Sequence, residues 1–272
     1  MTDEIVATGR ATHFVQSLER GLAVIRAFDA DSPELTLSDV ARSTGLTRAA
    51  ARRFLLTLSD LGYVRTDGRY FALSPRVLEL GYAYLSSLSL PEVAEPHLER
   101  LVAEVHESSS VSVLDGEDVV YVARVPTSRI MTVSINVGTR FPAYATSMGR
   151  VLLSGLPDEE LEAYLENVEL KRLSPRTITT ATALRAELAR AKSQGWAMVD
   201  QELEEGLRSV AAPIRDRGGR VVAAVNLSAH ASRMSTESVR RQLVPPLVAT
   251  AARIEAELRV ASASRPRRST GG

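Results

Sequence analysis

Residues 35–70 read LTLSDVARSTGLTRAAARRFLLTLSDLGYVRTDGRY, and no other stretch limits the possible fold so strongly. Apolar spacing predicts a short helix over 37–43 capped by Thr36, a Thr44-Gly45-Leu46 turn, and a second helix capped by Thr47 and running to about Leu61. Gly62 suits the left-handed residue that ends a helix. Asp67-Gly68 supplies the positive φ values of a tight turn joining strands at 63–65 and 69–73. Helix, turn, helix and hairpin in that order make a winged helix-turn-helix, whose second helix lies in the major groove of DNA.

Helical phase places chemistry on that second helix. Residues turn by about 100° each, so Arg48, Ala49, Arg52 and Arg53 share one arc and Ala50, Phe54, Leu58 and Leu61 share the packing arc. Arginine is the commonest bidentate reader of guanine, and small Ala49 permits close approach. Thr36, Thr47, Arg48, Ala49, Arg52 and Arg53 are the candidate DNA contacts, with Arg65, Arg69 and Tyr70 on the wing. The whole chain of 272 residues has zero net charge. Between Arg42 and Arg76, however, seven arginines stand against Asp60 and Asp67, a local +5. Such concentration marks phosphate binding in a neutral chain. Arg259, Arg265, Arg267 and Arg268 add a basic tail.

The rest of the chain needs a second domain, since 272 residues suit one large domain or two ordinary ones. The expected division is a flexible arm at 1–12, the DNA-binding domain at 13–74, a linker and dimerisation helix at 75–91, a second domain at 92–260 and a basic tail at 261–272. A first helix is expected over 15–28, from Val15, Leu18, Leu22 and Ile25. Ser74-Pro75 opens the linker helix, and Pro91 and Pro96 bound the start of the second domain. There, helices are expected at 98–106, 147–153, 158–166 and 183–194 (capped by Thr182), and a last helix at 235–260 broken near Pro245-Pro246. Strands are expected at 110–114, 119–125, 130–137, 196–200, 209–214 and 221–228. Hairpin-joined strands with flanking helices describe an α+β domain on an antiparallel sheet.

Composition excludes some chemistry. With no cysteine, disulfides and thiolate zinc sites are impossible. The N-terminus carries no signal-peptide pattern, and no apolar run is long enough to span a bilayer, so the expected location is cytoplasmic, with no membrane contact. The four histidines are scattered, and no P-loop, G-x-S-x-G or G-x-G-x-x-G occurs. No metal or cofactor is called for. The cluster DQELEEG, with Asp200, Glu202, Glu204 and Glu205 after a strand, fits either acid–base work or a solvated loop.

Four segments carry a resemblance: FVQSLERGLAVIRAF, LSDVARSTGLTRAAARRFLLTLSDLGYV, GTRFPAYATSMGRVLL and GWAMVDQELEEGLRSVAAPIRDRGGRVVAAVNLS. From about Phe14 to Val260 the chain resembles the IclR family of bacterial transcriptional regulators, nearest the PcaR/PcaU/PobR branch that controls β-ketoadipate-pathway and aromatic-acid genes. The resemblance implies a GAF-like effector-binding domain and a dimer, or a tetramer built of dimers, on palindromic operator DNA, with contact to RNA polymerase. It implies no enzymatic activity. Carried onto this chain, the effector pocket would be lined by Ile130, Val133, Thr146, Ser147, Met148, Asp200, Leu207, Ser209, Asn226 and Ser228. A small aromatic acid or dicarboxylate (β-ketoadipate, protocatechuate or p-hydroxybenzoate) suits Thr146 and Ser147 at a helix N-terminus, with Ser209 and Ser228 completing the hydrogen bonds. Arg129, Arg140, Arg150 and Arg208 are the candidate partners for a carboxylate. Asp200 would repel an anion or orient a hydroxyl, and Glu202, Glu204 and Glu205 would anchor their loop or pair with arginines. Two alternatives stay open: an enzyme using Asp200 and Glu202 beside a DNA-binding module, and a constitutive DNA-binding oligomer.

Overall fold

The structure is a computed structural model and describes residues 14–85, 90–127 and 135–261. The expected arm at 1–12, most of the basic tail, and Arg129, Ile130 and Val133 lie outside the described residues, as does most of the strand expected at 130–137. The chain divides into two compact units at about residue 86.

The first unit holds α1 (Gln16–Arg26), β1 (Glu34–Thr36), α2 (Leu37–Thr44), α3 (Arg48–Asp60), β2 (Val64–Thr66) and β3 (Tyr70–Leu73). A 3-10 turn at Pro75–Val77 leads into α4 (Leu78–Leu85), with Ser74 capping the turn as the Ser-Pro pair predicts. The wing is a three-stranded antiparallel sheet in the order β1-β3-β2; β1 has too few residues to show a pattern in the sequence. Thr36 caps α2 in a reciprocal box with Asp39, and Gly45 turns the chain at φ 67°. Val24, Phe28, Val40, Ala51, Leu55, Leu58, Val64 and Phe71 form the core. The packing arc of α3 is therefore Ala51, Leu55 and Leu58, one residue out of phase with the expected arc at its start, and Leu61 is half exposed. Contacts from α1, α2 and β2 together choose the buried face, which a single wheel of a short helix does not resolve.

The second unit opens with α5 (Leu90–Val105), longer than the helix expected at 98–106. Pro91 sits in its first turn, where its missing N–H matters little. Pro96 lies inside the helix, a position that costs about 3 kcal/mol. Leu90, Val93, Leu98 and Leu101 are buried along the same helix, each contributing about 1.5–3 kcal/mol, so packing outweighs the proline.

A six-stranded antiparallel sheet follows, in the order β6-β5-β4-β9-β8-β7. Its strands are β4 (Ser108–Asp115), β5 (Asp118–Val125), β6 (Arg140–Pro142), β7 (Ala197–Asp200), β8 (Leu207–Arg215) and β9 (Val221–His230). Strand β6 falls where no strand was expected, whereas 135–137 is not strand. The helices are α6 (Ser147–Ser154), α7 (Asp158–Asn167), α8 (Ala181–Gln194), α9 (Thr236–Gln242) and α10 (Val244–Ala261). Thr180, not Thr182, caps α8. The expected break of the last helix falls at Leu243, because Pro245 and Pro246 are tolerated in the first turn of α10. Helices α5 and α10 pack against the sheet from one side and α6 with α8 from the other. Alternation along β4, β8 and β9 sends Val111, Val210, Val225 and Leu227 to the first side and a row of serines to the second.

Candidate functional site

In the first unit, the N-cap Thr47 accepts the amide of Ala50 at 3.2 Å and starts α3 with its arginines outward. Arg48, Ala49, Arg52 and Arg53 are all exposed. Neighbouring arginines have partners: Arg42 pairs with Asp39, Arg65 with Glu34 at 3.3 Å and Arg76 with Glu79 at 3.4 Å. Among the described residues, no carboxylate pairs with Arg48, Arg52 or Arg53. That leaves three unneutralised guanidinium groups on one helical face, ready for phosphates and base edges. On the wing, Arg69 stacks over Tyr70 at 5.2 Å. The Asp67 carboxylate accepts the amides of Tyr70 and Arg69 at 2.7 and 2.8 Å, which tightens the turn and holds its pKa below the usual range. Thr36 has its hydroxyl committed to the Asp39 cap, at 2.6 Å.

In the second unit, a pocket lies between the serine-bearing face of the sheet and the start of α6. Among the described residues Tyr121, Ile135, Ala145, Thr146, Ser147, Met148, Val199, Leu203, Leu207, Ser209, Asn226 and Ser228 line it. Strand register explains the convergence. Ser209 and Ser108 flank Ser228, Ser110 and Ala211 flank Asn226, and Val199 stands opposite Ser209. Asn226 spans the strands, accepting the Ser110 amide at 2.9 Å and donating to Ser228 Oγ at 3.1 Å. Burial pushes the Tyr121 hydroxyl up to about 12, so it stays protonated.

The two residues at the helix start differ. Thr146 Oγ1 caps α6 by accepting the Gly149 amide at 3.0 Å. Ser147 Oγ is fully buried and has no hydrogen-bond partner. A buried unsatisfied hydroxyl costs roughly 1–3 kcal/mol, and here it faces a pocket at a helix N-terminus. Gly149 makes the arrangement possible, since a Cβ there would stand 2.1 Å from the Ala143 carbonyl oxygen.

Of the described residues expected in this pocket, Thr146, Ser147, Met148, Leu207, Ser209, Asn226 and Ser228 come together. Asp200 does not. It alternates with Val199 on β7, turns to the other face and is neutralised by Arg176 and Arg208, each at 2.6 Å. The three described arginines expected for a carboxylate are likewise spoken for. Arg140 binds Asp115 and Asp118 at 2.6 and 3.1 Å, and Arg208 binds Asp200. Arg150 is buried against Glu202 at 2.5 Å, with its Nε on the Tyr144 carbonyl at 3.2 Å.

Glu202 therefore anchors its loop by pairing with an arginine, as one reading of the acidic cluster expected. Its other bonds, from the Ile178 amide at 3.2 Å and the Thr177 hydroxyl to its carbonyl at 2.7 Å, fix the segment that carries Leu203 over the pocket. Tyr121, Ile135, Ala145, Val199 and Leu203 are lining residues that sequence reasoning missed. Alternation on β5 and β7 was the available signal for Tyr121 and Val199. No group of three or more metal-ligating side chains occurs among the described residues, and no described helix is long and apolar enough to cross a membrane.

Comparison with known proteins adds to this geometry. The IclR helix-turn-helix domain matches residues 17–68 and the "Bacterial transcriptional regulator IclR C-terminal" domain matches residues 82–256. The chain is 45% identical over 237 residues to the "Pca regulon regulatory protein" of Pseudomonas putida, covering 87% of this chain and 81% of that one. A solved transcriptional regulator from Rhodococcus sp. RHA1 shares 62% identity at a TM-score of 0.83, over 92% of this chain and all of that one (100%). An IclR homologue from Microbacterium hydrocarbonoxydans, solved in complex with 4-hydroxybenzoate, shares 29% identity at a TM-score of 0.79, over 90% of this chain and 99% of that one. An arginine-faced helix-turn-helix, a sheet-and-helix pocket and these matches lead to one conclusion: this chain belongs to the IclR family of bacterial transcriptional regulators.

Proposed function

We propose that the protein binds palindromic operator DNA through α3 and releases or retightens that grip when a small aromatic acid or dicarboxylate enters the second unit, so controlling genes of aromatic-compound catabolism. Thr47, Arg48, Ala49, Arg52 and Arg53 meet the major groove, Arg65, Arg69 and Tyr70 meet the flanking backbone, and Thr36 stands with them at the N-terminus of α2. The observation that carries the effector half is the Ser147 hydroxyl, buried and unpartnered beside a mostly apolar pocket. The 4-hydroxybenzoate bound by the Microbacterium relative supports the ligand class.

The free volume of the pocket is about 10 Å³, room for roughly one water, whereas a benzene-sized guest needs a cavity of about 150 Å³. Ligand entry therefore moves a wall, and that displacement is the event the DNA-binding unit reads. Val15, Leu18 and Leu22 form an exposed apolar stripe on α1, which supports self-association as a dimer or dimer-of-dimers on a two-fold operator. RNA polymerase is the further partner of such a regulator at a promoter.

The test is incubation of purified protein with protocatechuate, p-hydroxybenzoate and β-ketoadipate, following thermal stability and ligand concentration together. A ligand that binds the native state raises the melting temperature, and none is consumed. Turnover of any of them would show an enzyme instead, and indifference to all three would show a constitutive DNA binder.

A further inference from the structure

An irregularity in β5 decides where one arginine points. In the β4–β5 ladder Ser112 stands opposite Tyr121 and Val111 opposite Ala123, so Val122 is the extra residue of a β-bulge. In a regular strand, Tyr121 and Arg124, three apart, would occupy opposite faces. Across the bulge the alternation resets: Arg124 stands opposite Ser110 and Tyr121 opposite Ser112, two positions of β4 that share a face. That face carries the pocket, because Ser110 is also paired with Asn226.

Contacts agree with the register. Arg124 Nη1 donates to Ser110 Oγ at 3.1 Å. Ser110 and Asn226 then lead by hydrogen bonds to Ser228 on the pocket wall. Arg124 is half-buried, and among the described residues no carboxylate pairs with it. Burial draws its pKa below the usual arginine value, the sign of a cation short of counter-charge. The described lining itself holds no charged side chain. Two buried serine hydroxyls on this side of the sheet, Ser112 and Ser147, lack partners.

We propose that Arg124 reads the carboxylate of the effector, which selects acids carrying the carboxylate at the Arg124 end and a hydrogen-bonding group, such as a ring hydroxyl, for Ser147. This rests on the effector reading above and assigns the pocket its cation. A guanidinium fork matches a carboxylate in two parallel hydrogen bonds, and an amide of the same shape cannot supply the negative charge.

Calorimetric titration of the full chain with 4-hydroxybenzoate and with neutral 4-hydroxybenzamide tests it. Wild type should prefer the acid, and Arg124→Met should weaken acid binding about 10- to 100-fold, the worth of a charge-assisted hydrogen bond, while amide binding changes little. Arg124→Lys, which keeps the charge without the fork, should fall between; it also serves if the methionine variant does not fold, as judged by circular dichroism. Equal wild-type affinity for acid and amide, or an acid preference unchanged in both variants, overturns the role of Arg124 and leaves the effector reading standing. Failure of wild type to bind 4-hydroxybenzoate, protocatechuate and β-ketoadipate alike overturns the effector reading and this inference with it.

Discussion

At the scale of single residues, charge neutralisation separates function from architecture. Arg150 and Glu202 form a buried pair within hydrogen-bonding distance, so removing one partner strands the other's charge. Arg150→Met should destabilise the protein by about 3–5 kcal/mol, whereas Arg150→Met with Glu202→Leu should recover most of the loss. Urea unfolding checks this, and equal losses in the single and double variants would contradict the pairing. Arg52 has no such partner, and its proposed role is in DNA binding. Arg52→Ala should cost about 1–3 kcal/mol of operator affinity and relax specificity at one position, while Arg65→Ala should weaken all sequences evenly and lower the salt slope by about one. Competition binding over a salt series distinguishes the two. Pocket positions were legible in the sequence where the family resemblance carried them: Ser147, Met148, Ser209, Asn226 and Ser228 line one pocket. Arg124 was not legible, because its direction depends on one extra residue in β5, and a bulge leaves no trace in the apolar alternation.

At the scale of elements, caps and turns were the most legible features and helix phase the least. Thr36 and Thr47 cap where a threonine before an apolar-periodic run predicts it. Thr180 takes the cap expected of Thr182 because both precede the same alanine-rich run, and local spacing does not separate them. Pro96 shows the converse: a strong local breaker overridden by four buried side chains. The α2 cap has a pH signature. Hydrogen bonds from the Thr36 hydroxyl and backbone amide, with Arg42 nearby, hold the Asp39 carboxyl below its ordinary 3.8. A pKa depressed on folding means that the stabilisation is complete above the unfolded value and disappears as pH falls through the folded one. Asp39→Asn should therefore flatten stability against pH only below about pH 4, as followed by denaturant unfolding at stepped pH. A variant that shifts stability equally at pH 7 and pH 3 would place the effect elsewhere. Gly149→Ala tests the packing of α6 directly: with a Cβ driven onto the Ala143 backbone, the loss should be at least about 1–3 kcal/mol, read as a fall in melting temperature.

At the scale of the whole molecule, the two units divide the work, one presenting bare arginines and the other a nearly closed pocket. The chain divides at about residue 86, within the stretch at 75–91 that the sequence reads as a linker. The sheet order was not legible, since β6 is three residues long and β4 pairs with β9 across more than a hundred residues. The central claim is that occupancy of the pocket changes the grip of α3. Coupling between two sites in one protein typically amounts to about 1–3 kcal/mol, a factor of about 5–150 in affinity. The direct measurement is binding of the full chain to operator DNA from upstream of its neighbouring operon, at fixed salt, with and without saturating 4-hydroxybenzoate, protocatechuate or β-ketoadipate. At least one acid should shift the operator affinity by about fivefold or more. An affinity identical with and without every acid, at concentrations that raise the melting temperature, would contradict the account.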